Sequence, residues 1–233
     1  MVSMSALHSL TAELHAGFLT LAFVCIVIVA GSQIVVRYKS RMPKRLVNLA
    51  IRVRGYTEAA GYVGAVGGLL GLLLSAWTGM YAWPSSALLD SPEVRNKIML
   101  TVFATVLWAM VVFVRMRFGR GLWTCPAMAT LYVVLAFVAY GIVGMTGSLG
   151  AHLTLGESVL DPLWNLVGVD VGEDLALEPA TAALLALLSM LGLILALWVA
   201  RRKDLFSVRL GAETCQKFFK WDEPVIQPVD ASK

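Results

Sequence analysis

Residues 16–36 read AGFLTLAFVCIVIVAGSQIVV and contain no Asp, Glu, Lys or Arg. A helix needs about 20 apolar residues to cross a hydrocarbon core about 30 Å thick. Working outward along the chain, four more apolar stretches occur, at 59–83, 98–115, 127–149 and 180–200. The sequence therefore predicts an all-α integral membrane protein with five transmembrane helices, arranged as an antiparallel bundle of four plus a fifth.

The composition supports this class. Of the 233 residues, 58% are hydrophobic and 15% are charged, and the mean hydropathy is +0.76. Soluble domains have about 45–50% apolar and about 25% charged residues. The net charge of +4 comes from basic residues beside apolar spans, where membrane topology explains them. We therefore expect a multi-pass protein of the cell membrane (inner or plasma membrane), with lipid and not nucleic acid as a partner.

The loop charges predict an orientation. The loop between Gly150 and Pro179 contains six acidic residues and no Lys or Arg, whereas basic residues cluster in the loops after the first and third spans. Basic loops face the cytoplasm in most membrane proteins. The basic residues are Arg37, Lys39, Arg41, Lys44, Arg45, Arg52, Arg54, Arg115, Arg117 and Arg120. The N-terminus is therefore predicted outside and the C-terminus in the cytoplasm.

These spans divide the chain into four parts. They are a four-helix membrane core at 1–160, an outer acidic loop at 161–179, a fifth transmembrane helix at 180–200 and a cytoplasmic tail at 201–233. Residues 162–167 of the outer loop predict a short segment on the membrane surface, with Trp164 at headgroup level. Docking of an outer partner is the alternative role for this segment.

The cysteines predict no disulfide. Cys125 and Cys215 fall on the predicted cytoplasmic side, where thiols stay reduced, and Cys25 lies inside a span. No CxxC or CxxCH motif occurs, so covalently attached haem is not expected either.

The three histidines are His8, His15 and His152, and the topology puts all three on the outer side. Imidazole is a common axial ligand of haem and a frequent ligand of copper and zinc. His15 begins the first span and His152 follows the end of the fourth by a few residues, so the two lie at similar height on different helices and together could bind one haem iron. His8 lies about 10 Å above His15 by the helical rise, which makes it a spare ligand. The alternatives are a copper or zinc site made by all three, or interfacial residues that only form hydrogen bonds.

Glycines recur at helical spacing in two spans. The second span contains Gly64 and Gly68, and the fourth contains Gly141, Gly144, Gly147 and Gly150. Such spacing lets another helix approach closely. A flat macrocycle could use the same space, so Gly144 and Gly147 are candidate haem-binding residues.

In three short motifs the chain resembles an uncharacterised bacterial and archaeal family of small four-helix integral-membrane proteins. That family is known mainly as a domain of unknown function. The motifs are the two histidines that head the first span, the A-x-T-G element from Ala76 to Gly79, and T-G-x-L-G-x-H from Thr146 to His152. The resemblance covers about residues 6–160 and implies haem or metal binding by the histidines, as in a cytochrome b-like protein. The chain departs from the family where a histidine near the third span is replaced by Arg95, Asn96 and Lys97. At most one bis-histidine haem is then expected.

Two functions follow as expectations. The first is a subunit that binds a b-type haem near the outer face. It would relay electrons between an outer redox protein and the quinone pool, or other subunits of a respiratory-type complex. The second is a cofactor-free structural or anchor subunit of a larger membrane enzyme complex. Transport and catalysis are disfavoured, because no Asp, Glu, Lys or Arg lies between the predicted span ends and no nucleophile–base constellation is visible.

Overall fold

The fold is given by a computed structural model, which describes residues 3–83, 91–166 and 168 and a few single positions between 184 and 202. All regular structure in these residues is helical. The α-helices are α1 (Met4–Arg37), α2 (Lys44–Ala82), α3 (Pro92–Phe118), α4 (Pro126–Leu155) and α5 (Asp161–Leu166). Short 3₁₀ turns at Lys39–Arg41 and Gly119–Thr124 follow α1 and α3.

Four helices are long and apolar enough to cross a membrane: α1, α2, α3 with its following turn, and α4. The four-helix part of the predicted bundle is thus present. The predicted fifth helix at 180–200, the tail at 201–233 and most of the loop at 161–179 lie largely outside the described residues. Within the predicted surface segment, Asp161–Leu166 forms a short helix.

Local sequence signals set several helix ends. The Ser3 hydroxyl accepts a hydrogen bond from the Ala6 N–H at the start of α1, and Ser91 accepts one from Val94 at the start of α3. These side chains satisfy amide groups that have no partner inside the helix. Gly156 follows the last residue of α4 and caps it, with a φ of 80°, the left-handed conformation that glycine adopts most easily.

Close packing of α1 on α2 depends on glycines. A Cβ on Gly64 would lie 3.1 Å from the Phe18 carbonyl oxygen, and one on Gly68 would collide with Leu19. A Cβ on Gly61 would lie 2.8 Å from the Cys25 Cβ. The helix-packing interpretation is therefore confirmed for Gly64 and Gly68, which let the two backbones approach.

The core lies between the four long helices. Trp108 of α3 and Leu19 of α1 are fully buried there, and Leu72 of α2 is nearly so. Phe23 of α1 stacks on Tyr140 of α4, with 4.3 Å between ring centroids. Aromatic stacking and burial together fix α4 against the α1–α2 pair.

A buried ion pair lies at the end of the bundle opposite the histidines. Arg115 Nη2 is 2.6 Å from Glu58 Oε1, and the two side chains are only 14% and 7% exposed. These residues lie at the ends of the predicted spans, but α2 and α3 continue beyond those spans. The hydropathy pattern does not show that Glu58 is buried inside the bundle, because the arginine that neutralises it belongs to another helix.

One cysteine expectation is wrong. Cys125, the residue before α4, is disulfide-bonded. Cys25 is a free, buried cysteine. The expectation rested on the absence of closely spaced cysteine pairs and on the predicted compartment, and neither of these marks Cys125 as bonded.

Candidate functional site at the histidine end of the bundle

His8 packs against the end of α2. Its Nδ1 lies 3.0 Å from the Ser75 carbonyl oxygen and 3.4 Å from the Thr78 hydroxyl. The ring also covers Gly79, where a Cβ would come within 2.9 Å of the His8 Cε1. Thr78 and Gly79 belong to the A-x-T-G element, so this motif provides the surface on which the His8 ring rests.

His15 lies about two turns further along α1. Its Nδ1 is 3.0 Å from the Thr11 carbonyl oxygen of the same helix. A Cβ on Gly71 of α2 would lie 2.9 Å from the His15 Cβ, so glycine is needed there for the helices to meet. His15 is therefore a packing residue of the α1–α2 interface.

Both rings have a defined tautomer. A carbonyl oxygen only accepts hydrogen bonds, so Nδ1 of His8 and of His15 must carry the proton. In the described part of the chain, neither Nε2 has a hydrogen-bond partner. Metal-binding histidines often show this pattern, in which one nitrogen donates to a carbonyl and the other is free.

His152 has a different environment. Its Nε2 lies 2.9 Å from Oδ1 of Asp161, the first residue of α5. The Ser158 N–H donates to the other carboxylate oxygen at 2.8 Å. The Ser158 amide and then the His152 ring stabilise the carboxylate and hold the pKa of Asp161 below its ordinary value. His152 thus connects α4 to α5.

Trp164 secures the same connection. Its indole N–H donates to the Ser148 hydroxyl at 2.8 Å, and Ser158 donates to the same hydroxyl at 3.1 Å. The ring lies over Gly144, where a Cβ would be 3.4 Å from Trp164 Cζ2. Trp164, which the sequence predicts at headgroup level, packs its ring on α4.

The candidate haem residues therefore have separate surroundings. His15 lies against α2, His152 binds Asp161, and Gly144 is covered by Trp164. Gly147 has no described residue within 4 Å of the position of a Cβ. A haem bound by both His15 and His152 would need a free Nε2 on each ring, but the Nε2 of His152 already contacts Asp161. Of these two histidines, only His15 keeps an Nε2 without a hydrogen-bond partner among the described residues.

A metal site made by all three histidines has no further support in the described residues, which contain no group of three or more His, Cys, Asp or Glu able to hold a metal ion. His8 and His15 share α1, but His152 does not join them in such a group.

Sequence reasoning overlooked Lys97 as part of this end of the bundle. Lys97 lies on α3, and its charge acts electrostatically on both His8 and His15. Its Nζ occupies the space beside Gly150 of α4, 2.8 Å from where a Cβ would be. The basic Arg95–Asn96–Lys97 stretch just before the predicted third span was the available signal.

Comparison with known proteins adds no relative: no family model, no curated protein and no solved structure matches the chain.

Proposed function

We propose that the chain is a non-catalytic anchor subunit of a larger membrane enzyme complex and that it works without a cofactor. The observation that carries this proposal is the use of the histidines. His8 and His15 hold α1 against glycines of α2, and His152 holds α5 on α4. Each histidine thus has a packing role that needs no metal or haem.

A face of α4 that no described residue covers supports an anchoring role. Val134, Val138 and Gly141 share one face by their helical spacing. The two valines are about half exposed, and no described residue lies within 4 Å of a Cβ placed on Gly141. Small and β-branched side chains on a lipid-facing helix favour close contact with another transmembrane helix.

Electrophoresis of intact membranes under native conditions tests the anchor proposal. We expect the full chain, tagged at its C-terminus and expressed in its source cell, to migrate in an assembly well above its 25.2 kDa mass. A Gly141→Leu variant should shift toward the free chain, since its side chain would block the face. The matched control is Gly17→Leu, on a part of α1 where no described residue lies within 4 Å of a Cβ. Migration as the free chain in every case would contradict the proposal.

The electron-relay function is a second candidate, favoured by the free Nε2 of His15. When bound there, a b-type haem would supply one-electron transfer. This chain's part would be to hold the His15 ring through its Nδ1–H bond to Thr11. An outer redox protein and quinone, or other subunits of a respiratory-type complex, would be its partners.

Titration of the purified chain with haemin tests this candidate. If His15 is an axial ligand, the wild type should give a saturable Soret shift that His15→Ala abolishes and His8→Ala leaves in place. Equal, non-saturating spectra for the wild type and both variants would remove the candidate. A copper or zinc site is tested in the same preparation by metal analysis, with His8→Ala and His152→Ala as the informative variants.

A further inference from the structure

The end of the Lys97 side chain occupies space beside α4 that is open because residue 150 is a glycine. A Cβ on Gly150 would come within 2.8 Å of the Lys97 Nζ and 3.3 Å of its Cε. The end of the Lys97 side chain is thus laid against α4, and the residue is only partly exposed. Gly150 therefore positions a cation between α3 and α4.

This cation has no counter-charge in the described part of the chain. No carboxylate there forms an ion pair with Lys97, and its side chain has no hydrogen bond to a described residue. A partly desolvated ammonium group without an anion is unfavourable. The missing partner is expected to be an anion from outside the described residues.

The imidazoles of His8 and His15 lie within electrostatic range of Lys97. Both rings carry their proton on Nδ1 and donate it to carbonyl oxygens, so the group that would bind an anion here is the Lys97 ammonium. These three nitrogen-bearing side chains each rest on a glycine, with His8 on Gly79 and His15 near Gly71. They come from α1 and α3 and lie at the same end of the bundle.

The position along the helices indicates the source of the anion. Lys97 lies between one and two turns after the start of α3 at Pro92, and Gly150 lies at a similar distance before the end of α4 at Leu155. A side chain near the end of a membrane-spanning helix reaches the level of the lipid headgroups. Each phospholipid presents a phosphate oxygen at that level.

We propose that Lys97 binds the phosphate group of a phospholipid. The ammonium group would donate charge-assisted hydrogen bonds to the phosphate oxygens. This lipid site is independent of the anchor proposal and of the haem candidate, because neither uses Lys97.

Native mass spectrometry of the full chain, released from nanodiscs that contain phosphatidylglycerol and phosphatidylcholine, tests the proposal. We expect one phospholipid to remain bound to the wild type. Lys97→Met should weaken its retention about fivefold, the effect typical of one basic residue at a lipid surface. The matched control is Lys44→Met. Lys44 is exposed and begins α2, at the end of that helix away from the histidines, so this variant should retain the lipid.

A second variant separates binding from folding. Gly150→Leu keeps the Lys97 charge but fills the space that its side chain occupies, so it should lose the lipid as Lys97→Met does, whereas Lys97→Arg should retain most of it. The proposal is wrong if Lys97→Met and Lys44→Met have equal effects or if neither has one. Displacement of the lipid by millimolar inorganic phosphate would instead identify a free-anion site and overturn the assignment to lipid.

Discussion

The imidazole Nε2 of His152 lies 2.9 Å from the carboxylate Oδ1 of Asp161, and this contact joins the end of α4 to the start of α5. Trp164 then packs over Gly144 and donates to Ser148 on the preceding turns of α4. A histidine that looked like a haem ligand in the sequence thus positions a short helix at the end of the bundle.

Asp161→Asn should loosen α5. The change removes the charge from the His152 contact and replaces an acceptor of the Ser158 N–H with a weaker one. Hydrogen exchange of the α5 amides, measured by mass spectrometry, should become faster while exchange in α1 stays unchanged. Glu157→Gln, at an exposed position nearby, is the control and should leave α5 as it is. Unchanged α5 exchange in Asp161→Asn would show that this contact does not hold the helix.

The same contact should depend on pH. The pKa of Asp161 is lowered in the folded protein by the Ser158 amide and by His152. A lowered folded-state pKa gives stabilisation that is present above the unfolded-state pKa and is lost as the pH falls through the folded-state value. Protection of α5, corrected for intrinsic exchange, should therefore decline only below the ordinary pKa range of an aspartate. In Asp161→Asn this decline should be absent, and an identical decline in that variant would assign the effect to another group.

The α1–α2 interface should not tolerate a side chain at Gly64. In Gly64→Val the new Cβ would press on the Phe18 carbonyl and the Ala22 amide, which are backbone atoms that cannot move aside easily. We expect a loss of about 1–3 kcal/mol in the free energy of unfolding, the usual cost of overpacking. Unfolding in mixed micelles measures it.

Gly55→Val is the matched control for this change. It lies on the same helix, carries the same β-branched penalty and has no described residue within 4 Å of its Cβ. If both variants lose the same stability, helix propensity explains the result and close packing at Gly64 does not.

Glu58→Gln should destabilise the other end of the bundle. It would leave Arg115 buried without its carboxylate, and breaking one side of such a pair costs about 3–5 kcal/mol. The double variant Glu58→Gln/Arg115→Met should recover part of that loss, which a double-mutant cycle in mixed micelles would measure. Glu13→Gln, an exposed acid on α1, serves as the control. Independent, additive effects of the two changes would mean that the pair contributes no coupling energy.

The sequence predicted the long helices because an uninterrupted apolar run has few other structures available in a membrane. The helix-packing role of Gly64 and Gly68 was also accessible, since their spacing removes side chains along one face. The helix ends were less accessible: α2 starts at Lys44, well before its predicted span at 59, because basic residues also form helix outside the hydrocarbon.

The histidine contacts could not be predicted from the sequence. Depth placed His15 and His152 at one level, but depth does not say which neighbouring helix each ring faces. His152 acquires its partner because the chain turns back after Gly156 and brings Asp161 beneath the ring. Lys97 was similarly overlooked, since its closeness to His8 and His15 depends on how α3 packs in the bundle.

We propose that the three histidines hold helices together and that the chain carries no haem. The most direct test is the dithionite-reduced minus oxidised absorption spectrum of the full chain, purified from its source membrane without added haem. We expect a flat difference spectrum between 500 and 600 nm, the region of cytochrome α and β bands. A sharp b-type α band, present in the wild type and lost in His15→Ala, would contradict the claim and establish the electron-relay function instead.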